Sequence, residues 1–307
     1  MRSRVWFSGA ALLAVGVFAL IAARAPSSQP AAQYAGSEAC KTCHEKQWDE
    51  FMKTPHGRAA ADGAVVADVV GCESCHGPGS QHVASGGDDT DPGFATIRKL
   101  DKLTPAQQSE VCQGCHKGGD QFYWKHGPHA KNDVSCLKCH SIHHAQSPAG
   151  APLLVKADIN ELCAGCHRTK RFQLARSSHM PLREGGMNCA DCHNPHGAAT
   201  QSNLRAPTVN ELCLKCHSDK RGPMLWEHPP VRELCLNCHD PHGSNNAKSL
   251  ASKTPYLCQR CHIQTRHPST LYDSADLQSN RLLNRSCTNC HSQIHGSNHP
   301  SGKYFLR

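Results

Sequence analysis

The feature that most constrains this chain is a pentapeptide, Cys-x-x-Cys-His, which occurs ten times in 307 residues and uses all 20 cysteines. Cysteines at i and i+3 and a histidine at i+4 lie on one face of a helical turn, so one short helix presents all three groups. Zinc sites and disulfides also use paired cysteines, but neither requires a histidine directly after every second cysteine. The pattern instead indicates c-type haem attachment, in which each thiol adds to a haem vinyl group and the imidazole binds the iron.

The sequence therefore predicts ten covalently attached haem c groups, each with two cysteines and one proximal histidine. In chain order the predicted sites are Cys40/Cys43/His44, Cys72/Cys75/His76, Cys112/Cys115/His116, Cys136/Cys139/His140, Cys163/Cys166/His167, Cys189/Cys192/His193, Cys213/Cys216/His217, Cys235/Cys238/His239, Cys258/Cys261/His262 and Cys287/Cys290/His291.

Thirteen of the 23 histidines lie outside the motifs, enough for one distal iron ligand per haem. A distant histidine follows each odd-numbered motif, and a close one follows each even-numbered motif. The distant candidates are His56, His129 (or His126), His179, His228 and His267; the close candidates are His82, His143 (or His144), His196, His242 and His295. His129 is preferred because it lies seven residues before Cys136, as His228 lies seven before Cys235, and His126, His144 and His299 are left over.

A histidine three residues past a proximal one is too near in sequence to reach the opposite face of the same haem. We expect it to bind a neighbouring haem and so hold the pair together. The segments Asn194-Pro195-His196-Gly197 and Asp240-Pro241-His242-Gly243 have the composition of turns that direct such a ligand.

The composition indicates that haem supplies much of the buried apolar surface. Aromatic residues make up 5% of the chain and hydrophobic residues 38%, which is little for a large conventional core. We therefore expect the chain without haem to be mostly unfolded. The formal charge is +8, but the propionates of ten haems would reverse its sign, and no basic cluster with interleaved aromatics indicates nucleic-acid binding.

The N-terminus has the pattern of a secretory signal, with Arg2 and Arg4 before an apolar stretch from Val5 to Ala23. We predict a signal peptide over residues 1–25, with cleavage as late as about residue 35. An uncleaved anchor is the alternative, because the stretch is nearly long enough to span a bilayer. Either reading exports the chain, as haem attachment requires, and predicts a location in the periplasm or at the outer membrane.

The motifs fall into five units of two, which begin at Cys40, Cys112, Cys163, Cys213 and Cys258. Asn160-Glu161-Leu162-Cys163 recurs as Asn210-Glu211-Leu212-Cys213, and Thr104-Pro105-Ala106-Gln107 predicts a helix with a capping box; Thr254-Pro255 predicts a similar start. Strand patterns are almost absent. The predicted fold is an elongated linear array of haem pairs, mainly irregular with short α-helices and little or no β-structure, with an N-terminal half over 36–155 (haems 1–4) and a C-terminal half over 156–307 (haems 5–10).

The C-terminal segment Cys287-Thr-Asn-Cys290-His291-Ser-Gln-Ile-His295-Gly-Ser-Asn-His299, with ten motifs in a chain of this length, resembles the MtrA/DmsE/PioA family of decahaem cytochromes. The resemblance implies bis-histidine irons in a long haem chain inside an outer-membrane β-barrel porin. It also implies electron exchange between periplasmic or inner-membrane cytochromes and an extracellular multihaem cytochrome, mineral or metal. The ten motifs carry over onto the family's haem sites and His295 onto a distal ligand. In the first pair, Gly77-Pro78-Gly79-Ser80-Gln81-His82 replaces a shorter connection.

Two histidines per iron leave no open coordination position, so the sequence favours electron transfer over catalysis. A soluble periplasmic shuttle that delivers electrons to a reductase is the alternative with the same haems. A multihaem reductase requires an exposed iron, often with lysine in place of the proximal histidine, whereas every motif here ends in histidine.

Overall fold

The structure is a computed structural model that describes residues 33–61, 71–148, 152–262 and 286–306. The predicted signal peptide and His267 lie outside these residues. The predicted division of the chain after residue 155 stays a prediction.

Each haem-attachment motif forms one helical turn. The backbone N–H of the histidine donates to the carbonyl of the first cysteine at 2.8–3.0 Å in nine motifs, and the remaining motif forms the helix Cys72–His76. The turn therefore places both cysteines and the histidine together, as the spacing predicts.

The helices that contain or connect these turns are short, and within the described residues the longest has nine residues. The α-helices span Ser37–Lys41, Glu45–Met52, Pro55–Ala61, Cys72–His76, Ser80–Ala84, Pro105–Gln113, Pro128–Lys131, Ile159–Ala164, Arg168–Leu174, Cys189–Cys192, Val209–Cys213, Pro229–Glu233 and Tyr256–Gln259. The 3₁₀ helices span Pro92–Thr96, Leu100–Lys102, Gly119–Gln121, Trp124–His126, Cys136–Lys138, Gln201–Asn203, Ser218–Lys220, Cys235–Asn237, Ala247–Ser249, Cys287–Asn289 and Gly302–Tyr304. Within the described ranges β-structure is limited to isolated bridges, which confirms the predicted fold class. No helix in those ranges is long and apolar enough to cross a bilayer.

The two predicted helix starts have different outcomes. Thr104 caps its helix as predicted, because its hydroxyl accepts from the backbone N–H of Gln107 and the Gln107 side chain accepts from the N–H of Thr104. The second prediction is wrong: Pro255 is itself the N-cap residue, and the Thr254 hydroxyl donates to Ser286 at 3.0 Å instead of capping the helix.

The apolar core of the described residues is very small. Its buried hydrophobic side chains are Phe51, Trp124, Leu154 and Ala206. Such a small apolar core is what is expected of a chain that folds around large cofactors.

Tight glycine turns bring three of the close histidines against the preceding unit. The glycine after His196, His242 and His295 has a positive φ of 105°, 122° and 131°, respectively. A Cβ atom at Gly243 would overlap the carbonyl oxygen of Gln173. These positions require glycine both for backbone conformation and for space, which explains the turn pattern in the sequence.

Candidate haem-binding sites

The first cysteines of the two motifs in each unit contact each other. Their thiols are within hydrogen-bonding contact in all five units, as the pairs Cys40–Cys72, Cys112–Cys136, Cys163–Cys189, Cys213–Cys235 and Cys258–Cys287. In the free-thiol state, burial and the neighbouring Cys72 raise the pKa of Cys40 to about 11. The hydrogen bond from Cys112 lowers the pKa of Cys136 to about 6. The two attachment sites of each unit are therefore direct neighbours.

The second cysteines lie near one another at the junctions between units. Burial and a cysteine of the next unit both raise the pKa of a thiol at each junction, in the pairs Cys75–Cys115, Cys139–Cys166, Cys192–Cys216 and Cys238–Cys261. Contacts between first cysteines within a unit thus alternate with second cysteines that interact electrostatically across each junction. Together they connect the ten motifs into one unbroken succession in chain order.

The second cysteines of the first and last motifs, Cys43 and Cys290, stand at the two ends of this succession. Both residues are exposed. Because each belongs to a terminal motif, neither is among the cysteine pairs that join one unit to the next. Their backbone geometry still matches that of the other motifs: the N–H of Cys43 donates to the carbonyl of Cys40 at 3.3 Å, and that of Cys290 to Cys287 at 3.2 Å. The assignment of Cys43 and Cys290 to haem attachment therefore stays a prediction that rests on the motif and its turn.

Eight proximal histidine rings face a predicted distal ring. The ring centroids lie 5.8–6.4 Å apart in the pairs His44–His82, His56–His116, His76–His143, His129–His167, His140–His196, His193–His242, His228–His262 and His239–His295. Two metal–nitrogen bonds of about 2 Å, with about 1.1 Å from each nitrogen to its ring centre, give about 6.2 Å. Each ring pair therefore has the spacing required to hold a single iron atom.

Most of these pairs join adjacent units. A close histidine faces the proximal ring two motifs earlier, as His196 faces His140. A distant histidine faces the proximal ring two motifs later, as His129 faces His167. The expectation that a close histidine serves its own haem pair fits only His82, which faces His44. The other close histidines face the preceding unit, because their turns pack against it.

The two ends of the array depart from this exchange. The ring of the first motif, His44, faces His82 from its own unit. At the other end, His267 lies outside the described residues, so its assignment as a distal ligand stays a prediction. The seventh motif is the exception among described residues: the structure does not bring His179 to His217, and the Nε2 of His179 hydrogen-bonds Glu184 at 3.1 Å.

Backbone carbonyls fix the protonation of many of these rings. Nδ1 lies 2.7–3.1 Å from a carbonyl oxygen in His82, His129 and His228 and 2.5–3.1 Å from one in the proximal His76, His193, His239 and His291. A ring that donates through Nδ1–H carries its lone pair on Nε2, the form that binds a metal.

Burial keeps several facing rings neutral. It lowers the pKa of His56, His140, His143, His196, His228, His242 and His295, so the lone pair is available at neutral pH. His179 differs, because the hydrogen bond to the Glu184 carboxylate raises its pKa. Spacing, protonation and adjacent thiols together fit haem c.

The three surplus histidines have other surroundings. His144 is exposed, with Nδ1 3.2 Å from Glu50, while its neighbour His143 faces a proximal ring. His126 is exposed on a 3₁₀ turn. The Nδ1 of His299 accepts from the N–H of Ser301 at 3.1 Å, which places the proton on Nε2, the nitrogen an iron ligand would need free. The geometry therefore favours His143 over His144 and gives His299 a structural contact.

Sequence reasoning missed two groups of residues at these sites. Glu73, inside the second motif, is buried, and its carboxylate accepts from three backbone N–H groups at 2.6–2.9 Å. No sequence pattern indicated that role. Asn160 and Asn210 accept a hydrogen bond from the first cysteine of the second motif in their unit, Cys189 and Cys235 respectively. Their recurrence three residues before Cys163 and Cys213 was the signal available in the sequence.

Repeated haem-attachment turns with facing histidine rings define a multihaem c-type cytochrome. A doubled CXXCH motif family matches residues 179–222 and 228–267, and a cytochrome c-type protein NrfB-like family matches residues 72–151. The multiheme cytochrome MtrA of Shewanella baltica (strain OS185) is 41% identical over 280 residues, which cover 89% of this chain and 81% of the relative. The chain belongs to the MtrA family of multihaem cytochromes, so it binds haem c and transfers electrons.

Proposed function

We propose that the chain carries ten haem c groups in one line and conducts electrons across the outer membrane from within a β-barrel porin. Its partners would be periplasmic or inner-membrane cytochromes on one side and an extracellular multihaem cytochrome, mineral or metal such as iron on the other. The soluble periplasmic shuttle is the alternative use of the same haems.

The alternating succession of neighbouring cysteines is the observation that carries this proposal. Each attachment site lies near the following one, within units through first cysteines in contact and between units through second cysteines close enough to interact electrostatically. Haem iron, when bound, supplies one-electron redox chemistry at each site. The chain's part is to place the sites in order without a gap, which an end-to-end conduit needs and a catalytic centre does not.

The facing histidines support electron transfer without catalysis. In eight sites a second imidazole stands where it would occupy the remaining axial position of the iron. A substrate would then find no open coordination position. We propose His267 as the distal ligand of the tenth haem. We propose His179 as the distal ligand of the seventh haem, which requires its hydrogen bond to Glu184 to break.

A liposome assay tests the conduit. A dye is sealed in liposomes that carry the candidate porin, and purified holocytochrome with an external reductant is added. We expect dye reduction only with both proteins present, and its loss when Cys189 and Cys192 are replaced by alanine, which removes one haem from the middle of the line. Reduction without the porin, or equal reduction by the nine-haem variant, would contradict the proposal. A cytochrome that reduces soluble acceptors but never the sealed dye is a shuttle.

A further inference from the structure

The side chain three residues before the first cysteine of a unit reaches the second motif of the same unit. In the third unit this residue is Asn160. Its Oδ1 accepts from the backbone N–H of Cys189 at 2.9 Å and lies 3.2 Å from the Cys189 thiol. Its Nδ2 donates to the carbonyls of Leu182 and Met187 at 3.0 and 3.2 Å, in the loop that leads to that motif. One amide thus fixes both the second attachment turn and the loop before it.

The fourth unit repeats the arrangement. The Oδ1 of Asn210 accepts from the N–H of Cys235 at 2.9 Å, and its Nδ2 donates to the carbonyls of Val231 and Arg232 at 3.3 and 3.0 Å. The loops differ in sequence and in which of their carbonyls the amide meets, but the bond to the N–H of the second motif's first cysteine is the same. Two independent copies of this bond indicate a constraint on the distance between the two motifs.

Serine occupies the same position in the first two units. The Ser37 hydroxyl accepts from the N–H of Cys72 at 3.1 Å. The buried Ser109 hydroxyl donates to the carbonyl of Pro105 and lies against the Cys136 thiol. In the fifth unit the position is Pro255, and the preceding Thr254 makes the link instead, through the hydroxyl of Ser286. Every unit therefore has a polar side-chain contact from just before its first motif to the start of its second.

We propose that these side chains, the inter-motif clamps Ser37, Ser109, Asn160, Asn210 and Thr254, are positioning residues that set the separation of the two haems in each unit and hence their electronic coupling. The inference deepens the proposed function, on which it rests. The two attachment turns of a unit are separate helical turns joined by 17–27 residues, so this connection and the cysteine packing alone leave their separation adjustable. In three units the clamp accepts a hydrogen bond from the N–H of the first cysteine of the second motif, which fixes that turn at the point where it carries the haem. Electron tunnelling falls steeply with distance, so a small displacement there reduces transfer.

The test compares full-length, haem-loaded variants that each carry a single substitution. Asn160→Ala removes the clamp, Asn160→Ser keeps one hydroxyl as in the first unit, and Glu161→Ala changes an exposed neighbour on the same helix. Mass spectrometry checks that all variants carry the same number of haems. The readouts are the magnetic coupling between the two ferric haems of the third unit, by electron paramagnetic resonance, and the electron throughput of protein monolayers.

We expect Asn160→Ala to uncouple the signals of the two haems of the third unit and to lower throughput severalfold, because electron tunnelling falls steeply with the separation of the haems. Asn160→Ser should recover most of both, and Glu161→Ala should match the unchanged protein. Wild-type coupling and throughput in a fully loaded Asn160→Ala protein would overturn the proposal, as would an equal loss in Glu161→Ala.

A loading failure is covered by a second site. If Asn160→Ala does not take up its haems, Ser37→Ala removes the corresponding clamp in the first unit by deleting one oxygen atom. The same two measurements, applied to the haems of the first unit, then test the proposal. If the unchanged protein itself passes no current, the conduit proposal fails. The resonance spectra still test whether the clamp sets the coupling between the two haems. The two proposals can thus fail separately.

Discussion

Replacement of His196 by alanine tests the exchange of ligands between units. The His196 ring lies 6.0 Å from the ring of His140, centre to centre, with the planes 17° apart. His193, in the motif nearest to His196 in sequence, instead faces His242 at 6.1 Å. The variant should therefore open the iron of the fourth site and leave the sixth six-coordinate.

The magnitude follows from the count of sites. One of ten irons loses a ligand, so about one-tenth of the haem should become high-spin, and added imidazole should reverse the change because the cavity left by the side chain is of imidazole size. Ferric electron paramagnetic resonance and magnetic circular dichroism measure this fraction. His126→Ala, which removes an exposed surplus histidine, should leave the protein low-spin and is the matched control.

Double variants locate the open iron. Removal of the fourth haem, by alanine at Cys136 and Cys139, should abolish the high-spin signal of His196→Ala. Removal of the sixth haem, by alanine at Cys189 and Cys192, should leave it intact. The opposite pattern would refute ligand exchange between units, and a fully low-spin His196→Ala protein would refute the role of His196 as a ligand.

Three further outcomes are expected. His56→Ala should remove the most anisotropic low-spin ferric signal, because the planes of the His56 and His116 rings are 77° apart. In five other pairs the ring planes are within 24° of parallel. Loss of an ordinary rhombic signal instead would contradict the geometry. Gly243→Ala should destabilise the holoprotein by about 2–4 kcal/mol, from the positive φ and the overlap with Gln173, measured by denaturant unfolding; an unchanged midpoint would show that the turn can relax. Glu73→Gln should cost about 2–3 kcal/mol, because a buried carboxylate that accepts three backbone hydrogen bonds loses its charge and one acceptor, whereas an exposed glutamate changed in the same way should have no effect.

The attachment sites could be predicted from the sequence because their geometry is local. Two cysteines and a histidine at i, i+3 and i+4 form one helical turn whatever surrounds them, and the histidine-to-cysteine hydrogen bond appears in motif after motif. The cap at Thr104 was predictable for the same reason, since all its bonds lie within four residues. The start at Thr254 was not, because a residue 32 positions away, Ser286, takes its hydroxyl.

The sequence also determined how many histidines are available and where they stand relative to the motifs, but it did not determine which proximal ring each one faces. His140 and His196 are 56 residues apart, and only the packing of the third unit against the second brings them together. The tertiary structure likewise separates His143 from His144, because adjacent side chains point in different directions and one of them meets His76. Local spacing fixes what a helical turn presents, whereas the contact between two distant turns depends on how glycine turns and inter-motif hydrogen bonds pack one unit on the next.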